Sequence, residues 1–200
     1  MTKSLKTPAA RSVLDLSPTV LLIIDLISDF DFPDGERIFK AALPVARAIR
    51  RLKARADRAD IATIYVNDNF GRWRSDFRQL VRRCSSPSVK GRPIVELLHP
   101  RSEDYFVLKP THAGFFGTAL ECLLKELRTV RLIVTGIPAH QCILFTANEA
   151  YLRGYNLIIP RDCVGSQKPQ QKKFALDYFQ SVLQADIRPS RTLRLSRPRQ

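Results

Sequence analysis

Short, nearly continuous apolar runs alternate along this chain with longer stretches whose apolar residues recur every third or fourth position. These are the signatures of buried strands and of amphipathic helices. The runs are Thr19–Ile27 (TVLLIIDLI), Ile61–Val66, Asp104–Pro110 (DYFVLKP), Leu132–Val134 and Leu157–Pro160. Between them the spacing predicts helices over Glu36–Asp60, Ser75–Cys84, Ile94–Leu98, Thr118–Leu127, a stretch opening at Ala139 and stopping at Gly154, and Phe174–Leu183. In the longest, Ile38, Ala42, Val45, Ile49, Leu52 and Ala56 form the inward stripe; Pro44 calls for a kink there, or for a start near Leu43. Ala185-Asp186-Ile187 reads as a last edge strand. Strands alternating with helices predict an α/β fold: a mostly parallel, Rossmann-like sheet between two helical layers.

The sharpest change of pattern falls in LIVTGIPAHQCILFTANEAYLRGY, Leu132–Tyr155. Its apolar run is broken by Gly136 and Pro138, and helical periodicity starts at Ala139. Cys142 therefore belongs to the first turn of a helix, where unpaired N–H groups and the positive end of the dipole favour a thiolate and face a developing oxyanion. A small buried hydrophobe would look the same. Asp25 interrupts the first run near its end and serves equally to cap the following loop. Lys109, fixed at a strand end by Pro110, reads either as an exposed edge lysine or as a buried cation. Asp68 and Trp73 follow the second strand, on the side where open α/β sheets hold ligands. All three of Asp25, Lys109 and Cys142 fall at strand carboxyl ends, which predicts one shared crevice.

Composition narrows the class. Two hundred residues, 44% hydrophobic and 26% charged, suit one soluble domain with a core of its own, taken here as residues 13–190 with basic, flexible tails over 1–12 and 191–200. No apolar run reaches spanning length and no secretory leader is evident, so the four scattered cysteines read as reduced thiols in the cytoplasm. The three histidines lack metal-ligand spacing. A formal charge of +14 raises nucleic-acid binding, but no basic–aromatic alternation accompanies it. Arg47, Arg50, Arg51, Lys53, Arg55 and Arg58 instead suggest a solvated helix face, and Arg188, Arg191, Arg194, Arg197 and Arg199 a loose tail.

An Asp ending the first strand, a Lys ending a middle strand and a Cys opening a helix resemble the isochorismatase-like cysteine hydrolases. The pieces that carry the likeness are LLIIDLISDF, YVNDNFGRWRSDF, YFVLKPTHAGFF and TGIPAHQCILFTANEAYLRGY. The resemblance implies Asp25 as general base, Lys109 as charge partner and Cys142 as nucleophile in the hydrolysis of a C–N bond of a small amide, ureido or imide compound. It implies a dimer or tetramer, with no cofactor. Family members that bind a metal carry Asp-x-His after the second strand; Asp68-Asn69-Phe70 lacks the histidine, which implies no metal and points away from nicotinamide. The family's cis peptide falls at Ile137–Pro138, whose second N–H usually joins that of Cys142 in the oxyanion hole. Proline has none, and losing one such donor costs about two to three orders of magnitude in rate. Pocket walls are expected from Phe30, Trp73 and Phe115 or Phe116, and polar guides from Asn67 and Asn69. The rival reading is a binding or interaction protein of the same fold with weakened turnover.

Overall fold

The apolar run at Thr19 becomes β1 (Thr19–Ile24), the central strand of the molecule, in a computed structural model that describes residues 16–71 and 76–196. β2 (Ala62–Asp68) and β4 (Arg131–Gly136) flank it; β3 (Tyr105–Lys109) and β5 (Asn156–Ile158) lie outside them. The order is β3-β2-β1-β4-β5 and every pairing is parallel. Strands buried on both faces need no alternation of polar and apolar residues, which is why β1 reads as an unbroken run.

The two faces make two cores. Leu21, Ile23, Tyr65 and Ile133 pack beneath α1 (Gly35–Arg58) and α3 (Arg92–Leu97). Val20, Leu22, Ile24, Val66 and Val134 pack beneath α4 (Leu120–Glu126), α5 (Leu144–Leu152) and α6 (Pro169–Ser181). A shorter helix, α2 (Phe77–Cys84), is capped by Asp76, whose carboxylate accepts from the Gln79 N–H at 2.7 Å. The fold is thus the expected three-layer α/β/α arrangement. All six residues of the inward stripe of α1 are buried.

Several boundaries differ from the sequence reading, each for a local reason. β1 stops at Ile24 because Asp25 takes a left-handed conformation, φ 55°, that cannot continue a strand. Leu26 and Ile27 stay buried in the loop that follows. α1 begins at Gly35 and runs through Pro44, which lies on the exposed side where water can satisfy the carbonyl left without its N–H. The last edge strand reduces to a single bridge between Ile158 and Asp186. Lys53 is not on a solvated face: its ammonium is buried between Asp57 at 3.0 Å and Asp104 at 2.9 Å. Nor are the described residues just past 190 a loose tail. Leu193 is buried, Arg55 donates to the carbonyls of Ser190 and Leu193, and Asp162 accepts from the Ser190 N–H at 2.7 Å.

Gly136, opposite Ile24 in the sheet, closes the approach of β4 to β1. Its φ is 125°, and a Cβ there would lie 2.0 Å from the Ile24 carbonyl oxygen. Gly136→Ala should therefore force the two strand ends apart and lower the melting temperature by about 6–12 °C, read by thermal unfolding.

Candidate active site

Strand pairing does most of the assembly. Register sets Ile24 beside both Val66 and Gly136, and Asp68 beside Lys109, so the carboxyl ends of β1, β2, β3 and β4 open on one edge. The left-handed turn at Asp25 lets its N–H donate to Val66 O at 3.0 Å while its Oδ1 accepts from the Asp68 N–H at 2.8 Å. A non-glycine residue held in that region beside reactive groups is a common feature of functional sites.

Lys109 is fully buried, which resolves its two sequence readings in favour of the cation. Its Nζ lies 2.9 Å from Asp25 Oδ2, 3.6 Å from Asp68 Oδ2 and 3.7 Å from Cys142 Sγ, and it donates to Thr111 O at 3.1 Å. Asp25 Oδ2 is buried with the ammonium as its ion partner and no donor aligned for a hydrogen bond.

Cys142 sits on a turn of π-helix, Ala139–Ile143, rather than on the first turn of an α-helix. The Ile143 N–H reaches back to the carbonyl of Pro138, which also accepts from Gln141. Such widened turns recur at functional sites because they re-aim a side chain. The Ile137–Pro138 bond before it is cis. The Ile137 N–H donates to Ile24 O at 3.1 Å and the Ala139 N–H to Gly165 O at 2.6 Å.

Opposing influences act on the sulfur. Burial pushes the Cys142 thiol up, the Asp25 carboxylate adds to the rise, and Lys109 partly opposes it. Burial also raises Asp25, against the pull of the Lys109 ammonium and the neighbouring Cys142 thiol. For Lys109, burial alone would lower the ammonium, but Asp25, Cys142 and Asp68 together hold it above its ordinary value. The site keeps one firm cation in contact with both the carboxyl and the sulfur.

The other sequence candidates disperse. Asn67 is fully buried on the sheet face opposite Asp68, with Nδ2 donating to Ile27 O at 2.9 Å, which ties the loop after β1, and with Oδ1 left without a hydrogen-bond partner. Phe30 joins the core beneath α1, 5.5 Å from the Phe39 ring. Phe115 is buried against Tyr155 and under the Arg153 guanidinium, beyond the far end of α5 from Cys142. Asn69 shapes its own turn, accepting from the Gly71 N–H at 2.9 Å, and Phe116 is exposed. Trp73 lies outside the described residues. His112 was missed: its Nδ1 is 3.7 Å from Cys142 Sγ and its ring stacks on Phe145 at 5.7 Å. Its position three residues beyond Lys109 was the available signal. Among the described residues no three His, Cys, Asp or Glu side chains converge as a metal site, and no helix is long and apolar enough to cross a membrane.

Known proteins share this arrangement of strands and sequence. The family model described as the isochorismatase domain matches residues 19–187. The isochorismatase family protein YaaI of Bacillus subtilis is 39% identical over 167 residues, 84% of this chain and 91% of that protein. The ureidoacrylate amidohydrolase RutB of Serratia proteamaculans is 24% identical over 84% of this chain and 78% of its own length. Among solved structures, a cysteine hydrolase from Pseudomonas syringae superposes with a TM-score of 0.71 at 18% identity, covering 93% of this chain and 95% of that one. An N-carbamoylsarcosine amidase from Thermoplasma acidophilum gives 0.65 at 23% identity, covering 88% and 98%. A domain match of this extent, on a sheet of matching architecture, makes the chain a member of the isochorismatase family of hydrolases.

Proposed function

We propose that this hydrolase cleaves a C–N bond of a small amide, ureido or imide compound through a thioester on Cys142. The observation that carries the reading is the contact of one buried ammonium, Lys109 Nζ, with both Asp25 at 2.9 Å and Cys142 Sγ at 3.7 Å. A carboxylate, a cation and a thiol in one dry site are what nucleophilic attack by sulfur requires. Two relatives, a ureidoacrylate amidohydrolase and an N-carbamoylsarcosine amidase, act within the same substrate class.

In the first half-reaction Asp25 takes the thiol proton as Sγ bonds to the substrate carbonyl carbon, and the carbonyl oxygen becomes an oxyanion. The oxyanion collapses, the C–N bond breaks, and the proton on Asp25 passes to the departing nitrogen as ammonia or an amine leaves. Water then gives a proton to Asp25 and bonds to the thioester carbon. The C–S bond breaks, the acid is released, and the sulfur recovers the proton from Asp25. Lys109 stays protonated throughout and steadies whichever partner is anionic. A binder without turnover has no need of a buried ammonium touching both a carboxylate and a thiol, which favours catalysis over the rival reading.

A screen for ammonia release over small amides and ureides tests this. Cys142→Ala should lower turnover of any active compound by about 10⁴-fold or more. Alkylation with iodoacetamide gives an independent check, because Cys84 and Cys163 are buried and Cys122 is exposed. Labelling of Cys142 no faster than that of Cys122 would remove the nucleophile assignment.

A further inference from the structure

We infer that His112 supplies an oxyanion donor that the backbone beside Cys142 does not provide; the inference rests on the thioester reading above. The N–H groups of the segment leading into the π-turn are accounted for. Ile137 donates to Ile24, Pro138 has no N–H, and Ala139 donates to Gly165. The Lys109 ammonium is engaged by Asp25 and the Thr111 carbonyl on the inner side of the sulfur. Among the described residues the other side chain with a polar contact to Sγ is His112, with Nδ1 at 3.7 Å. Once sulfur has bonded to the carbonyl carbon, the new oxyanion lies one carbon from Sγ, and an N–H already beside the sulfur can reach it.

Two features suit His112 to this work rather than to ionising the thiol. Asp25 and Lys109 already flank the sulfur from within, whereas His112 is exposed at the mouth, where its tautomers exchange through water. Its ring is also stacked nearly parallel to that of Phe145, at an interplanar angle of 16°, which holds the ring plane that carries Nδ1 beside the sulfur. An aimed donor stabilises charge without reorganising during the reaction.

An experiment with small aldehydes separates the possibilities. An aldehyde adds the Cys142 sulfur to its carbonyl carbon and forms a reversible hemithioacetal whose oxygen occupies the oxyanion position; alkylation by iodoacetamide forms no such oxygen. Protection of Cys142 from iodoacetamide by butyraldehyde and by benzaldehyde reads aldehyde affinity in the full chain, without need of the true substrate. His112→Ala should weaken protection at least about tenfold and leave the uninhibited alkylation rate within about twofold. His112→Asn, whose Nδ2 replaces the ring Nδ1 at the same reach, should recover most of the affinity. Equal protection in His112→Ala and the parent chain overturns the inference. So does a fall in the uninhibited alkylation rate with affinity unchanged, since that assigns His112 to activating the thiol. Absence of protection in the parent chain, with Cys142 still the fastest-labelled cysteine, also overturns the donor role while sparing the nucleophile. Loss of both removes the thioester reading itself.

Discussion

Lys109→Met will inactivate the site and destabilise the fold, and the loss of stability will grow as pH rises. The ammonium is fully buried and holds Asp25 at 2.9 Å, so removing it leaves a carboxylate without its counter-charge in the interior. Breaking a buried pair from one side costs about 3–5 kcal/mol when the partner stays charged. Asp25 has an escape: burial already raises it above the ordinary carboxylate range, and without Lys109 it will rise further and take up a proton. The sign follows from linkage. A carboxyl whose folded value is raised has its full relative stability below the unfolded value, near 3.8, and loses it as pH climbs through the folded value. Parent and variant should therefore melt closest together near pH 4 and diverge toward pH 8. Adding Asp25→Asn to the variant removes the charge in question and should flatten that divergence without restoring turnover. Melting curves across this range check the prediction; a gap independent of pH would show that Lys109 supports the fold through packing and its bond to Thr111 alone.

The same residue shows what could and could not be read from the chain. Asp25, Lys109 and Cys142 were legible because each breaks an apolar pattern at a strand's end, and parallel sheets gather such ends on one edge. Whether Lys109 was buried was not legible, since that depends on β3 pairing with β2 in a register that sets Lys109 beside Asp68. Asn67 and Asp68 are neighbours in sequence, yet alternation along β2 sends them to opposite faces, and assigning the face requires knowing where the strand begins. Phe30 and Phe115 looked like pocket walls because they adjoin reactive residues along the chain. Their loops turn them into the two cores instead. His112 carries no periodic signal and reaches the sulfur only through the path of the loop after β3. The balance acting on the thiol was not legible either: the position of Cys142 at a helical turn favours the anion, and burial and the adjacent carboxylate, which only the fold reveals, act against it.

That last balance makes Asp25→Asn informative in a way Lys109→Met is not. Burial, then Asp25, and behind them Asp68 raise the Cys142 thiol, and Lys109 opposes them. Replacing the Asp25 carboxylate by an amide removes the larger charge contribution and leaves the ammonium 3.7 Å from sulfur, with Asp68 at 3.6 Å as its remaining carboxylate. The thiol should become easier to ionise as a lysine–thiolate pair. Alkylation of Cys142 by iodoacetamide in Asp25→Asn should therefore hold or rise at neutral pH, whereas in Lys109→Met it should fall. Turnover will move the other way. Without a group to carry the proton from sulfur to the leaving nitrogen and later to take one from water, hydrolysis should drop by about 10³-fold, the usual contribution of a placed acid–base group. The site would then be a competent nucleophile that cannot release its amine. Comparing alkylation and ammonia release on one preparation decides the matter: if both fall by the same factor, Asp25 acts only by ionising the sulfur, and the proton that reaches the leaving nitrogen comes from another group.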